Sequence, residues 1–179
     1  MFTIVELTMK KSIHPASLSE TDLIAECEIE RTRRSGPGGQ HRNKVETAVV
    51  IRHRPTAILG QASERRSQSE NRSEAIERLR VNLAIGIRFP VSETYRPSAL
   101  WQKRCRNRRI SIARRHADFP SLLAEVLDLA LSFEFQLNRM AVVLGTTTSQ
   151  LVRFLALEPK ALSWVNDERK SKGYNNLNP

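Results

Sequence analysis

Three glycines and a proline fall within four consecutive positions at Gly36-Pro37-Gly38-Gly39, and this run constrains the chain more than any other. Proline fixes its own φ and lacks an N–H, and glycine gives up the most backbone entropy on ordering, so neither a helix nor a paired strand runs through the segment. The stretch Arg33–Lys44 is therefore expected to be a loop. Arg33 and Arg34 precede the glycines, and His41, Arg42 and Lys44 follow them. Backbone N–H groups exposed by glycine and rimmed by cations suit a phosphate-bearing, electron-rich partner.

On either side of this loop the pattern is β-like. Glu28–Arg34 begins with alternating polar and apolar residues, and Thr47–His53 is rich in β-branched residues. A turn at Arg54-Pro55-Thr56 returns the chain through Ala57–Ala62. These runs predict three antiparallel strands with the glycine loop at one end. Upstream, Ser19-Glu20-Thr21-Asp22 has capping-box spacing before Leu23, Ile24 and Cys27, which predicts a short helix. Downstream, the polar run Glu64–Asn71 leads into Ala75, Ile76, Leu79, Leu83 and Ile87 at helical spacing, with Glu74–Arg78 as an i,i+4 pair. A helix packed on a small sheet gives an α+β domain over residues 15–90, preceded by a flexible arm at 1–14.

Residues 91–116 read as a basic linker. Pro90 and Pro97 interrupt regular structure, and Arg104, Arg106, Arg108, Arg109, Arg114 and Arg115 crowd one short segment. The whole chain carries 29 Lys and Arg against 19 Asp and Glu, a net charge of +10. Clustering of that charge favours a polyanion over a merely solubilising surface, and Arg104, Arg106, Arg108 and Arg109 are candidate RNA contacts. A membrane surface is disfavoured, because the basic segment has no broad apolar face. Trp101 can stack on a base or anchor the segment, and anchoring is the commoner role.

Residues 117–179 read as an all-α module. Asp118 is a candidate cap, Pro120 suits a first turn, and Leu122, Leu123, Val126, Leu127 and Ala130 form one apolar face. Phe133, Leu137, Met140, Ala141 and Leu144 form another, ended by Gly145. Thr147–Gln150 has capping-box spacing for a helix lined by Leu151, Phe154 and Leu155. A last helix opens at Pro159 and closes at Gly173. Ala141, Gly145, Leu151 and Phe154 have the spacing of a helix-turn-helix, a pattern that helical hairpins without nucleic acid also satisfy.

Cys27 and Cys105 have neither metal-ligand nor disulfide spacing, and no cofactor or metal is expected. The N-terminus is not a signal sequence and no window reaches the roughly 20 apolar residues of a membrane span, so the expected location is cytoplasmic.

The residues Arg34-Ser35-Gly36-Pro37-Gly38-Gly39-Gln40-His41, then Asn43-Lys44, Thr47-Ala48-Val49, Pro55-Thr56, Glu64-Arg65-Arg66-Ser67-Gln68 and Asn71-Arg72, occur in an order similar to that of the catalytic domain of class I peptide chain release factors. The resemblance covers Glu28 to Leu83 and implies a function: hydrolysis of the ester joining peptide to tRNA in the peptidyl-transferase centre of the large ribosomal subunit. It implies Gly38, Gly39 and Gln40 as catalytic residues, with the Gln40 N–H aimed at the developing oxyanion. It also implies docking of Arg33, Arg34, His41, Arg42 and Lys44 on rRNA or tRNA, and Gln40 as the target of an N-methyltransferase. Nothing in the chain resembles the tripeptides that read stop codons, and its 179 residues leave no room for both remaining release-factor domains. The expectation is therefore codon-independent ribosome rescue. A nucleic-acid-binding regulator and a non-catalytic ribosome-binding factor are the alternatives.

Overall fold

The computed structural model describes residues 13–32, 47–91 and 94–179. The chain divides into two compact units, Met1–Gly86 and Ile87–Pro179.

In the first unit a 3-10 turn at Pro15–Ser17 leads to helix α1 (Glu20–Ala25), strand β1 (Cys27–Thr32), strand β2 (Ala48–His53), strand β3 (Leu59–Ala62) and helix α2 (Gln68–Gly86). The capping box forms as expected: Ser19 Oγ accepts from the Asp22 N–H at 3.1 Å and donates to the Asp22 carboxylate at 2.7 Å. The three strands make one antiparallel sheet in the order β1-β2-β3. Cys27 opens β1 rather than closing the helix, and its thiol donates back to the Leu23 carbonyl. Ala57, expected in the third strand, sits at φ +57° in the turn, so β3 starts two residues later.

Helix α2 lies against β2 and β3. The stripe Ala75, Ile76, Leu79 and Leu83 is buried together with Val49, Ile51 and Ala62 of the sheet. Gly60 makes that approach possible. A Cβ at this position would stand 2.1 Å from the Ala75 carbonyl oxygen and 2.5 Å from the Leu79 nitrogen, both backbone atoms that cannot swing away. Val81, Ala84 and Ile85 are buried as well, since α2 also packs on the Pro15–Ser17 turn. Arg80 reaches across to donate to the carbonyls of Ala16 and Leu18 at 3.1 and 2.6 Å. The helix starts at Gln68, inside the run read as polar connection, and ends one residue before Ile87.

The second unit contains helix α3 (Ala99–Arg104), a two-stranded hairpin of β4 (Cys105–Arg106) and β5 (Arg109–Ile110), and helices α4 (Phe119–Ser132), α5 (Leu137–Val143), α6 (Thr148–Ala156) and α7 (Pro159–Ser171). The segment 91–116, expected as a linker, thus holds a helix and a hairpin. Asn107 and Arg108 both have positive φ, as a two-residue hairpin turn of the primed type requires. Helix α4 is buried along most of its length, with Phe119, Leu122, Leu123, Val126, Leu127, Leu129 and Ala130 in the core. Trp101 is an anchor: it is 1% exposed, its indole N–H donates to the Leu144 carbonyl at 2.8 Å, and its ring meets Phe154 edge-on at 5.9 Å. Asp118 does not cap α4. Its carboxylate is occupied by Arg104, at 2.9 and 2.7 Å.

A buried ion pair lies in the same unit. Arg88 donates to Asp128 Oδ1 at 3.0 Å, the Phe89 N–H reaches the same oxygen at 3.0 Å, and the Arg88 guanidinium sits 5.4 Å over the Trp164 ring. Burial pushes the Asp128 carboxyl up to about 7 against the pull of Arg88. It lowers the Arg88 guanidinium to about 10.

The candidate catalytic loop and its supports

Arg33, Arg34, Gly38, Gly39, Gln40, His41, Arg42 and Lys44 lie outside the described residues. The frame on both sides of them is described. In the β1–β2 ladder Thr32 pairs with Ala48 and Cys27 with His53. Residues 33–46 therefore leave from, and return to, neighbouring strand ends at one edge of the ladder.

That edge is fastened by Asn71, which is fully buried on the first turn of α2. Its Nδ2 donates to the Thr47 carbonyl at 2.7 Å and to the Arg65 carbonyl at 3.0 Å, while its Oδ1 accepts from the Arg65 N–H at 2.9 Å. One amide thus ties the residue where the chain re-enters the described sheet to the polar turn before α2. Only a primary amide both donates twice and accepts from this position, so neither Asp nor Leu can replace it. The turn is held further along by Arg78, which donates to the Gln61 carbonyl at 2.8 Å and to Glu64 at 2.9 Å. The hydrogen bond from Arg78 lowers the Glu64 carboxyl to about 2.

The opposite edge of the ladder is closed by His53, whose side chain is 1% exposed. Its Nδ1 lies 2.7 Å from Thr56 Oγ1 and its Nε2 lies 2.9 Å from Glu26 Oε2. The sheet is therefore pinned by side chains at both ends. Sequence alone does not assign these roles. The asparagine is legible only as part of a motif, and nothing in the spacing marks the histidine as buried.

The second group of predicted RNA contacts divides. Arg104 is turned onto Asp118 and His116, with Nη2 2.8 Å from His116 Nε2. Arg106, Arg108 and Arg109 are exposed on the β4–β5 hairpin.

The RF-1 domain family matches residues 20–119, more than half of the chain. The chain belongs to the RF-1 domain family. Among relatives, peptide chain release factor 1 of Xylella fastidiosa (strain 9a5c) is 44% identical over 72 residues, covering 40% of this chain and 18% of its own length. Peptide chain release factor 1 of Caldicellulosiruptor saccharolyticus is 50% identical over 56 residues, 31% of this chain and 16% of the relative. Peptide chain release factor 2 of Buchnera aphidicola subsp. Baizongia pistaciae is 49% identical over 55 residues, 31% of this chain and 15% of the relative. The chain spans less than a fifth of the length of these relatives. Among the described residues, no helix is long and apolar enough to cross a membrane.

Proposed function

We propose that this protein hydrolyses the ester between peptide and tRNA on the ribosome, with water as nucleophile, and that it acts without a stop codon. The observation that supports the reading is the match of residues 20–119 to the RF-1 domain family, with Gly38-Gly39-Gln40 falling in the sequence between the paired strand residues Thr32 and Ala48. An amide side chain does not titrate near neutral pH, so Gln40 works by position and electrostatics rather than as a base. Its backbone N–H stabilises the oxyanion of the tetrahedral intermediate and the departing ribose oxygen. Its side chain borders the water and excludes larger nucleophiles. Gly38 and Gly39 let the backbone turn that N–H inward.

Arg33, Arg34, His41, Arg42 and Lys44 hold the tip against rRNA and tRNA phosphates, and Arg106, Arg108 and Arg109 supply further RNA contacts. Gln40 is the site for a methyltransferase. The catalytic domain, expected over residues 15–90, lies in the unit that ends at Gly86, and the helix-turn-helix-like module at 117–179 contributes to recognition of the ribosome in the cytoplasm.

The test uses ribosomes carrying labelled peptidyl-tRNA, with the A site either empty or holding a stop codon. Release by the wild-type protein at equal rates on both substrates is expected, and loss of release in Gly39→Ala. Release confined to stop-codon complexes contradicts the codon-independent reading.

A further inference from the structure

The hairpin and the α5–α6 turn of the second unit are bonded into one surface. Arg108 Nη2 donates to the Thr146 carbonyl at 3.3 Å, and the Thr146 hydroxyl donates back to the Arg108 carbonyl at 3.0 Å. The Ile110 N–H donates to Gln150 Oε1 at 3.1 Å, and β5 packs on α6. The arginine tip is thereby fixed beside the start of α6, where Thr148 and Ser149 are exposed, with Arg153 one turn on.

Charge on this surface has one sign. Residues 94–117 and 135–157, which supply the hairpin, the turn and α6, contain no Asp or Glu. The acids that follow these two stretches are engaged elsewhere: Asp118 by Arg104 at 2.7 Å, and Glu158 by Arg114 at 2.8 Å. Arg106, Arg108 and Arg109 therefore keep their charge uncompensated by any carboxylate of their own segment. The N-terminal turn of α6 adds the positive end of a helix dipole; the Gln150 N–H there is taken by the Thr147 hydroxyl at 3.2 Å, and the N–H groups of Thr148 and Ser149 have no partner within the helix.

We propose that the β4–β5 hairpin and the first turn of α6 form one docking face for the phosphate backbone of duplex RNA. Base-edge reading from a helix relies most on Arg, Asn and Gln side chains, and on α6 only Arg153, one turn in, is an exposed side chain of that kind. On α6 the one glutamine, Gln150, is committed to Ile110, and Thr148 and Ser149 are short. Contacts from short hydroxyls, helix N–H groups and arginines fit a partner recognised by shape and phosphate, which is how duplex RNA is bound. The inference rests on the reading of Arg106, Arg108 and Arg109 as RNA contacts and adds Thr148, Ser149 and Arg153 to them. It is independent of the hydrolytic reading.

The experiment measures fluorescence anisotropy of a labelled RNA hairpin, and of a DNA duplex of the same sequence, with the full chain across a potassium chloride series. Replacing Arg106, Arg108 and Arg109 together by Gln lowers RNA affinity at least about tenfold and flattens the salt dependence by about one unit of slope per arginine in contact. Ser149→Glu places an anion where the helix dipole stabilises it, so the fold is kept, and it lowers RNA affinity by about fivefold or more. A triple variant that binds like wild type removes both the arginine reading and this inference. Loss of binding in the triple variant with full affinity in Ser149→Glu keeps the arginines and overturns the composite face. DNA bound more tightly than RNA overturns the assignment of the partner.

Discussion

The side-chain amide of Asn71 donates to the backbone carbonyl of Thr47 at 2.7 Å, across 24 residues of sequence. Thr47 is the residue through which segment 33–46 rejoins the sheet, and Asn71 stands on the first turn of α2. Helix α2 and Thr47 are thus coupled through one buried group. Replacing Asn71 by Leu removes its three hydrogen bonds to Thr47 and Arg65, each worth about 0.5–1.5 kcal/mol where water can take over the freed backbone group. The expected outcome is a lower urea midpoint together with a loss of peptide release that persists under conditions where the sheet is still folded. Unchanged release in a folded Asn71→Leu protein would show that the coupling does not matter for activity.

Gly60 and Gly145 make a contrasting pair. Gly60→Ala drives a Cβ into the backbone of α2 at 2.1 Å from the Ala75 oxygen, and the helix must lift off the sheet. A cost of about 3 kcal/mol or more is expected. A Cβ on Gly145 would meet nothing within 4 Å, but the residue sits at φ +63°, so Gly145→Ala carries only the left-handed backbone penalty of about 1–2 kcal/mol. Denaturant unfolding of the two variants should rank them in that order.

Much of this architecture is legible in the sequence. The three strands and the apolar stripe of α2 follow from β-branched or alternating runs and a 3.6-residue period, because these patterns are local. The Ser19 and Thr147 caps are readable for the same reason. What escapes is set by distant partners. Asp118 has the sequence of a cap, yet Arg104 takes its carboxylate across 14 residues. The hairpin at 105–110 rests on two residues in positive φ, Asn107 and Arg108, of which only the asparagine is a usual occupant. His53 looks like an ordinary polar strand end and is buried by bonds to Glu26 and Thr56. The segment that carries Gln40 is legible as a sequence motif, and residues 33–46 lie outside the described structure.

Glu64 in the first unit and Asp128 in the second should contribute to the acid response with opposite sign. In the first, Arg78 holds the Glu64 carboxyl down to about 2, below its unfolded value. That pairing adds stability above the unfolded carboxylate range and loses it as pH falls toward 2. Glu64 is more than half exposed, so solvent screens the pair and the loss is small. In the second unit burial holds the Asp128 carboxyl up at about 7. Between about pH 4 and 7 the folded unit binds a proton that the unfolded chain has released, so its stability falls as pH rises, by at most about 1.4 kcal/mol per pH unit. Hydrogen exchange followed separately in α2 and α4 across this range checks both signs, and Asp128→Asn should flatten the α4 profile.

Trp101 joins α3 to the end of α5 by one hydrogen bond, and its ring meets Phe154 of α6. Trp101→Ala is expected to destabilise the second unit by about 3–5 kcal/mol. Trp101→Phe keeps most of the packing and leaves the Leu144 carbonyl without its donor, for about 1–3 kcal/mol. Thermal unfolding of the two variants separates packing from hydrogen bonding at this position.

The most direct test of the hydrolytic mechanism removes the Gln40 N–H, with Gln40→Ala measured beside it to account for the side chain that is lost as well. Gln40→Pro takes away the backbone donor assigned to the oxyanion, and peptide release is measured in single turnover on stalled ribosomes at saturating protein. Wild type is predicted to release peptide, and Gln40→Pro to do so more slowly by about a hundredfold or more, the usual cost of losing one such donor. Equal rates for the two proteins, or no release by wild type at any concentration, would contradict the mechanism.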